Sequence, residues 1–274
     1  MSLRFRVLGS GSSGNATLIE GGGTRVLLDA GLGPRELADR LLSAGVDPAS
    51  IDAIFLSHEH SDHARGAAAF SRKWGVRLLG SRGTYAAAGL GASEIAGFDV
   101  LDPGARRSVG ALTVAAIPVP HDAAEPMAFV VSWDGVSLGH ATDLGHLGRA
   151  VVAAFGGCQA VLVESNYDPG MLRDGPYPWS LKERILSPLG HLSNGDVAHY
   201  LEHGLPEACE TVVLAHLSRK NNHPEVARMS AEIALRRGGR GGVRLEMTGP
   251  EGTGWIEART VRRPTAAVGQ MRLF

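Results

Sequence analysis

The sequence predicts an α/β protein in which strands and helices alternate through one domain, and three observations predict it. The 274 residues sit at the upper end for a single domain and can build a core from two packed sheets or from a sheet covered by helices. Short apolar runs recur from one end of the chain to the other, interleaved with amphipathic stretches of helical period. No internal repeat or linker interrupts that succession, so residues 1–274 read as one domain, with about 262–274 as a C-terminal tail.

Residues 3–9 alternate as a strand does and run into Gly9-Ser10-Gly11-Ser12-Ser13-Gly14-Asn15, after which 16–20 and 24–29 read as two more strands. Pro34 opens an amphipathic helix to Ala44. The apolar run Ala53-Ile54-Phe55-Leu56 is a buried strand, with a helix from Ala64 to Trp74 beyond it. A strand at 76–80, a helix at 82–88 and strands at 97–101 and 111–117 follow. Asp134-Gly135 joins 128–133 and 136–140 as a hairpin. Helices at 145–155, 179–187, 194–203 and 224–236 then intermix with strands at 159–163, 211–215, 243–247 and 254–258.

Bulk properties exclude several classes. Hydrophobic content of 44% suits a globular protein, and Lys+Arg 27 against Asp+Glu 28 leaves a net charge of −1. No global field therefore draws in nucleic acid or an anionic membrane, and any polyanion contact must be local. No run of about 18 apolar residues occurs, and the start carries no basic head before an apolar stretch, so a cytoplasmic protein without membrane contact is the default. Cys158 and Cys209 form neither a metal-type pair nor a disulfide framework, which agrees with a reducing compartment. Oligomeric state stays open, a homodimer being one arrangement among others. The run from Arg236 to Gly242 is a short basic loop.

Chemistry concentrates in Ser57-His58-Glu59-His60-Ser61-Asp62-His63, directly after the apolar run 53–56. Imidazole and carboxylate are the ligands that Zn²⁺ and other borderline divalent ions accept. His58 and His60, two apart in extended chain, point the same way and can grip one ion. If the chain then turns into a helix, Asp62 and His63 diverge toward a second ion about 3.5–4 Å away. A paired centre needs more ligands, and three candidates lie just beyond apolar strands: His121, Asp143 and His216. Asp29, where another strand ends, is either a capping residue or a carboxylate that orients a metal-binding histidine, and the second role is preferred. His191 sits in the loop before a helix that Asn194 can cap, where an imidazole can donate a proton. The glycines at 9, 11 and 14 let backbone approach a ligand, and Ser12, Ser13 and Asn15 offer donors to a phosphate; a tight hairpin without ligand is the equal alternative.

The His58-to-His63 stretch resembles the His-x-His-x-Asp-His motif of the metallo-β-lactamase fold superfamily. Gly11-Ser12-Ser13-Gly14-Asn15, Pro120-His121-Asp122-Ala123, Glu164-Ser165-Asn166-Tyr167-Asp168, Gly190-His191-Leu192-Ser193-Asn194 and the run from Ala215 to Pro224 resemble signatures of its YycJ/WalJ branch. The similarity to ribonuclease Z is looser. The resemblance implies a four-layer αββα sandwich of two mixed sheets flanked by helices. It implies two divalent ions, Zn²⁺ first with Mn²⁺ or Fe²⁺ also accepted. His58, His60 and His121 would hold one ion, Asp62, His63 and His216 the other, with Asp143 bridging. It further implies a metal-dependent nuclease, a 5′ to 3′ exonuclease on DNA; the chain lacks the β-CASP domain of ribonuclease J and the flexible arm of ribonuclease Z.

On that basis the expected catalytic residues are Asp62, to orient or deprotonate the nucleophile, and His191, the general acid, polarised by Glu164. Ser12, Ser13, Asn15, Asn166, Arg219 and Asn222 would bind substrate phosphates. The rival readings are a small-molecule hydrolase of the same fold, such as a lactonase, a glyoxalase II-like enzyme or a cyclic-phosphate phosphodiesterase, and a binding module without turnover.

Overall fold

The computed structural model describes residues 3–91 and 93–259; the expected tail at 262–274 lies outside the described residues. The first half runs β1 (Leu3–Gly9), β2 (Ala16–Gly21), β3 (Thr24–Leu28), α1 (Pro34–Ser43), β4 (Ala53–Phe55), α2 (Ser61–Ala64), α3 (Ala67–Trp74), β5 (Arg77–Gly80), α4 (Arg82–Ala87) and β6 (Phe98–Val100). The second runs β7 (Arg106–Val109), β8 (Leu112–Pro118), β9 (Met127–Trp133), β10 (Val136–Ala141), α5 (Arg149–Phe155), β11 (Ala160–Glu164), α6 (Pro169–Asp174), α7 (Trp179–Leu186), α8 (Asn194–His203), β12 (Thr211–Ala215), α9 (Pro224–Arg237) and β13 (Arg244–Met247). The last strand, β14 (Ile256–Ala258), returns to the edge of the first sheet beside β1.

Two seven-stranded mixed sheets result, in the orders β14-β1-β2-β3-β4-β5-β6 and β13-β12-β11-β10-β9-β8-β7. In each, antiparallel pairing gives way to parallel pairing, at β3/β4 in the first sheet and at β10/β11 in the second. Period-two alternation assigns each strand face to a layer. Phe5, Phe55, Leu112, Phe129 and Val213 fill the space between the sheets, where the Phe55 and Phe129 rings meet edge-on at 6.0 Å. Leu27, Ile54 and Leu78 face the opposite way and pack with Leu37, Leu41 and Phe70 of α1 and α3. Val161, Val212 and Leu214 do the same beneath α5, α8 and α9. The layers therefore run helix, sheet, sheet, helix, as the resemblance implies. Among the described residues no helix is long and apolar enough to cross a membrane.

Departures from the expected elements have local causes. The helix expected over 64–74 is split: α2 holds Asp62 and His63, and α3 begins after Gly66, where a side chain would meet the Leu32 carbonyl at 2.2 Å. The helix expected from 145 starts at 149, because 145–148 form a loop in which Gly145 packs against the backbone at Pro188. β7 was not expected; its residues Arg106, Arg107 and Ser108 are exposed and carry no alternating pattern. α6 was also not expected, although Asp168 caps it through Met171 N at 2.9 Å and Pro169 opens it.

His140 of β10 is buried between the sheets, with Nε2 3.1 Å from Thr17 Oγ1 of β2. Burial holds its imidazole neutral, pushing the pKa down to about 4. The unfolded chain takes up this proton near pH 6.5 and the folded one only near 4, so this stability is present above 6.5 and is lost as pH falls toward 4. The loss amounts to roughly 3 kcal/mol. Between those pH values the melting temperature of His140→Gln falls less than that of the parent protein in parallel thermal melts.

Candidate metal centre

The C-terminal ends of β3, β4, β8, β10, β11 and β12 lie along one rim of the sandwich; Glu164 is the last residue of β11, and just beyond the others stand Asp29, His58, His121, Asp143 and His216. Three of these, Asp29, Asp143 and His216, have left-handed backbone with φ of 62°, 57° and 51°. Such a residue reverses the chain at once, which keeps the side chain over the rim. The turn carrying Asp62 and His63 is fixed from behind, since Asn15 N donates to Asp62 O at 2.7 Å and Ala30 N to His63 O at 2.8 Å. Gly31 packs so closely there that a β-carbon would overlap the Asp62 carbonyl at 1.6 Å.

Four of the histidines, His58, His63, His121 and His216, have one ring nitrogen committed outward, and the hydrogen bonds assign their tautomers. His63 Nδ1 donates to Asp29 Oδ2 at 2.7 Å. Ser57 donates through N and Oγ to the same carboxylate and accepts from His58 Nδ1 at 2.9 Å. His121 Nδ1 donates to Gly190 O at 3.0 Å, and His216 Nδ1 lies 3.3 Å from Glu164 Oε2. The opposite nitrogens turn inward. His58 Nε2 and His60 Nδ1 are 3.1 Å apart, and His121 joins them in one group of ligand atoms within 4.8 Å of one another. Asp62, His63 and His216 form a second such group, and Asp143 groups with both His58 and His63. The structure therefore gathers all seven ligand candidates at one place.

The donor set fits divalent cations. His121 Nε2, His216 Nε2 and Asp143 Oδ2 are buried without a hydrogen-bond partner; Asp143 Oδ2 is 2.8 Å from His63 Nε2 but lacks hydrogen-bond geometry. Buried polar atoms in that state are costly unless something takes their lone pairs. Burial lowers the pKa of His58 and His121, favouring the neutral imidazole that ligation needs. At His63 and His216 burial is outweighed by Asp143 and the neighbouring carboxylates, so both are raised, His216 to about 10. The carboxylates thus draw positive charge into the rim.

Asp143, Glu164, His191 and His216 make a further possible ligand group. Glu164 is nevertheless saturated. It accepts from Leu144 N at 3.1 Å and Leu192 N at 2.9 Å, and its Oε2 faces His191 Nδ1 at 3.0 Å and His216 Nδ1. That places it behind the cluster as Asp29 is. Burial works to raise its pKa, but His191 and His216 prevail and bring it to about 2. His191 is raised in turn, Glu164 outweighing the effect of burial.

The cluster opens into a cleft of about 230 Å³. Ser12 and Asn166 line it, with Asn166 Nδ2 donating to His216 O at 2.9 Å. Ser13, Asn15, Arg219 and Asn222 are not among the lining residues. Asn15 instead clamps the glycine loop and the Asp62 turn, accepting from Gly11 N at 2.8 Å. Asn222 is buried, its amide nitrogen donating to Ser165 O, Asn166 O and Asn194 Oδ1. Both amides have their hydrogen bonds filled by the fold, which corrects their expected phosphate role; Ser13 and Arg219 are exposed outside the cleft. Conversely, Asp122, Tyr177 and Arg184 line the cleft without having been singled out. Nothing in their spacing separates them from ordinary surface residues.

Asp29→Asn tests the outward bonds, since asparagine tolerates left-handed backbone and removes only the charge and one acceptor. Metal affinity falls by about 10- to 100-fold, read by chelator competition, with the circular dichroism spectrum unchanged.

The comparisons with known proteins agree with this geometry. Residues 9–191 match the family model described as the metallo-beta-lactamase superfamily. The chain is 33% identical over 234 residues to exodeoxyribonuclease WalJ of Streptococcus pneumoniae, covering 84% of this chain and 87% of that protein. It is 34% identical over 243 residues to exodeoxyribonuclease YycJ of Bacillus anthracis, covering 88% and 92%. Among solved structures, the metallo-beta-lactamase fold protein YhfI from Bacillus subtilis shares the fold with a TM-score of 0.72 at 14% identity, over 94% of this chain and 100% of that one. Histidines spread over the chain meet where this fold brings strand ends together, and the aligned relatives extend over nearly the same length: the chain belongs to the metallo-beta-lactamase superfamily.

Proposed function

We propose that this protein is a metal-dependent exonuclease that hydrolyses DNA phosphodiester bonds from the 5′ end, residues 1–274 acting as one hydrolytic domain. The curated relatives are named exodeoxyribonucleases, and the observation that carries the reading is His191 facing the cleft with Glu164 behind it. A thioester expels a thiolate and needs little help from an acid, whereas the leaving oxygen of a nucleotide departs as an alkoxide unless protonated. His58, His60 and His121 would hold one cation and Asp62, His63 and His216 a second, with Asp143 between them; Zn²⁺ suits this donor set, and Mn²⁺ or Fe²⁺ is also compatible. Bound there, the cations supply Lewis-acid stabilisation of phosphoryl charge and a water of lowered pKa.

The side chains do the remainder. Asp62 stays ionised, because His216 and His63 outweigh the effect of its burial, and it orients the attacking water and accepts its proton. His191 Nδ1 is engaged by Glu164, which leaves Nε2 to donate to the departing oxygen. Burial works against the charged ring, but Glu164 outweighs it and raises the pKa, which favours the acid form. Ser12 and Asn166 offer donors to the phosphate. Arg184, the one guanidinium among the lining residues, is exposed at the cleft wall and ion-paired with Asp122. It supplies the local positive charge that the overall balance of 27 basic and 28 acidic residues does not.

Digestion of 5′-labelled, 3′-labelled and circular DNA by metal-reconstituted protein tests the reading. The 5′ label is released first as a short product and circles stay intact; nicked circles or thioesterase activity alone would sink it. His191→Ala keeps its metal content and slows turnover by about 10²–10⁴. In the parent enzyme the acid form of His191 is lost as pH rises through its raised pKa, so kcat falls on the alkaline side. That limb is absent from the pH profile of the variant.

A further inference from the structure

Between β11 and the loop bearing His191, residues 165–190 leave the sandwich and build one wall of the cleft. This wall has its own small core of Tyr167, Leu172 and Ile185, with Tyr177 and Leu181 packed against it. Lys182 is only 8% exposed; its Nζ donates to Arg173 O at 2.7 Å and Gly175 O at 2.8 Å, closing the C-terminal end of α6. The wall thus has packing of its own, and it joins the metal centre through Gly190 O, which accepts from His121 Nδ1, and through the Arg184–Asp122 pair.

Its chemistry differs from the opposite side of the cleft. Facing the histidines and carboxylates are Tyr177, Leu181 and Ile185, with Arg184 beside them. Leu181, Arg184 and Ile185 are spaced to share one helix face. Three exposed large hydrophobics, Trp179 at 64%, Leu186 at 51% and Leu189 at 48%, lie on the same excursion. Trp179 Nε1 donates to Glu183 Oε1 at 2.7 Å, which fixes its ring. A bare phosphodiester makes no use of an aromatic and aliphatic wall. A nucleotide does, because its base presents a π-face next to the charge that Arg184 can meet.

We propose that this wall is a nucleobase platform: Tyr177 stacks on the base of the nucleotide being removed, drawing it out of its own stack beside the metal centre. The inference rests on the nuclease reading and names the part of the substrate recognised. The base stacks on the side chain through its face, so the platform is tolerant of sequence but depends on a base being present.

The test compares the parent enzyme, Tyr177→Leu and Tyr177→Phe, all metal-loaded, on two single-stranded oligonucleotides that differ only in an abasic residue at the reacting end. On the base-bearing strand Tyr177→Leu loses about 5- to 150-fold in kcat/KM, and Tyr177→Phe stays close to the parent. On the abasic strand the gap between Tyr177→Leu and the parent closes to about twofold or less, since neither has a base to stack. Equal loss on both strands means that Tyr177 only supports the wall, and no loss on either means that it does not meet the base; both overturn the platform while leaving the nuclease reading intact. A parent enzyme that digests neither strand yet hydrolyses bis(p-nitrophenyl) phosphate overturns the nuclease reading itself, and the platform with it.

Discussion

Two buried carboxylates hold the rim together, one from each sheet. Asp29 follows β3 and is 1% exposed; Glu164 ends β11 and is fully buried. An ionised carboxylate taken out of water costs several kcal/mol unless donors surround it, and both are surrounded. Asp29 accepts from Ser57 N, Ser57 Oγ and His63 Nδ1. Glu164 accepts from Leu144 N and Leu192 N and faces His191 and His216. Each acid therefore satisfies itself by orienting imidazoles, Asp29 acting on His63 directly and on His58 through Ser57. The direction in which a ring nitrogen points is decided one layer behind the site.

The sandwich supplies the platform on which that orientation is useful. Its inter-sheet core from Phe5 to Val213 fixes the two sheets relative to each other, so strand ends far apart in sequence share one rim. Left-handed backbone at Asp29, Asp143 and His216 costs on the order of 1–2 kcal/mol per residue. The cost is borne where the chain must turn immediately after a buried strand, and backbone bonds such as Ala30 N to His63 O offset part of it. The glycine-rich loop after β1 belongs to this support. Its Asn15 braces the Asp62 turn, and only Ser12 of the expected loop donors reaches the cleft.

The two walls of the cleft have different origins. The histidine and carboxylate wall is made of strand ends and of the turn between β4 and α3. The opposite wall is an excursion from β11 with a separate small core. The two meet at Gly190, whose carbonyl accepts from His121 Nδ1, and at Arg184, which pairs with Asp122.

The amino-acid sequence by itself determined the elements whose signal is local. Alternation marked β1, an apolar run marked β12, Asp134-Gly135 marked the β9–β10 hairpin, and the dense run from His58 to His63 marked the chemistry. His121, Asp143 and His216 were legible because each follows an apolar strand, and a strand end is a place that neighbours in sequence define. β7, α6 and the split of the helix at Gly66 were not legible, since they rest on edge pairing, a satellite core and a close approach to Leu32. Only the tertiary structure decided which polar side chains line the cleft. The resemblance singled out Asn222 and passed over Arg184. Folding consumes the hydrogen-bonding capacity of the first against Ser165, Asn166 and Asn194, and leaves the second on the wall of the cleft. Hydrogen-bond saturation depends on partners brought from distant positions, and no local pattern records it.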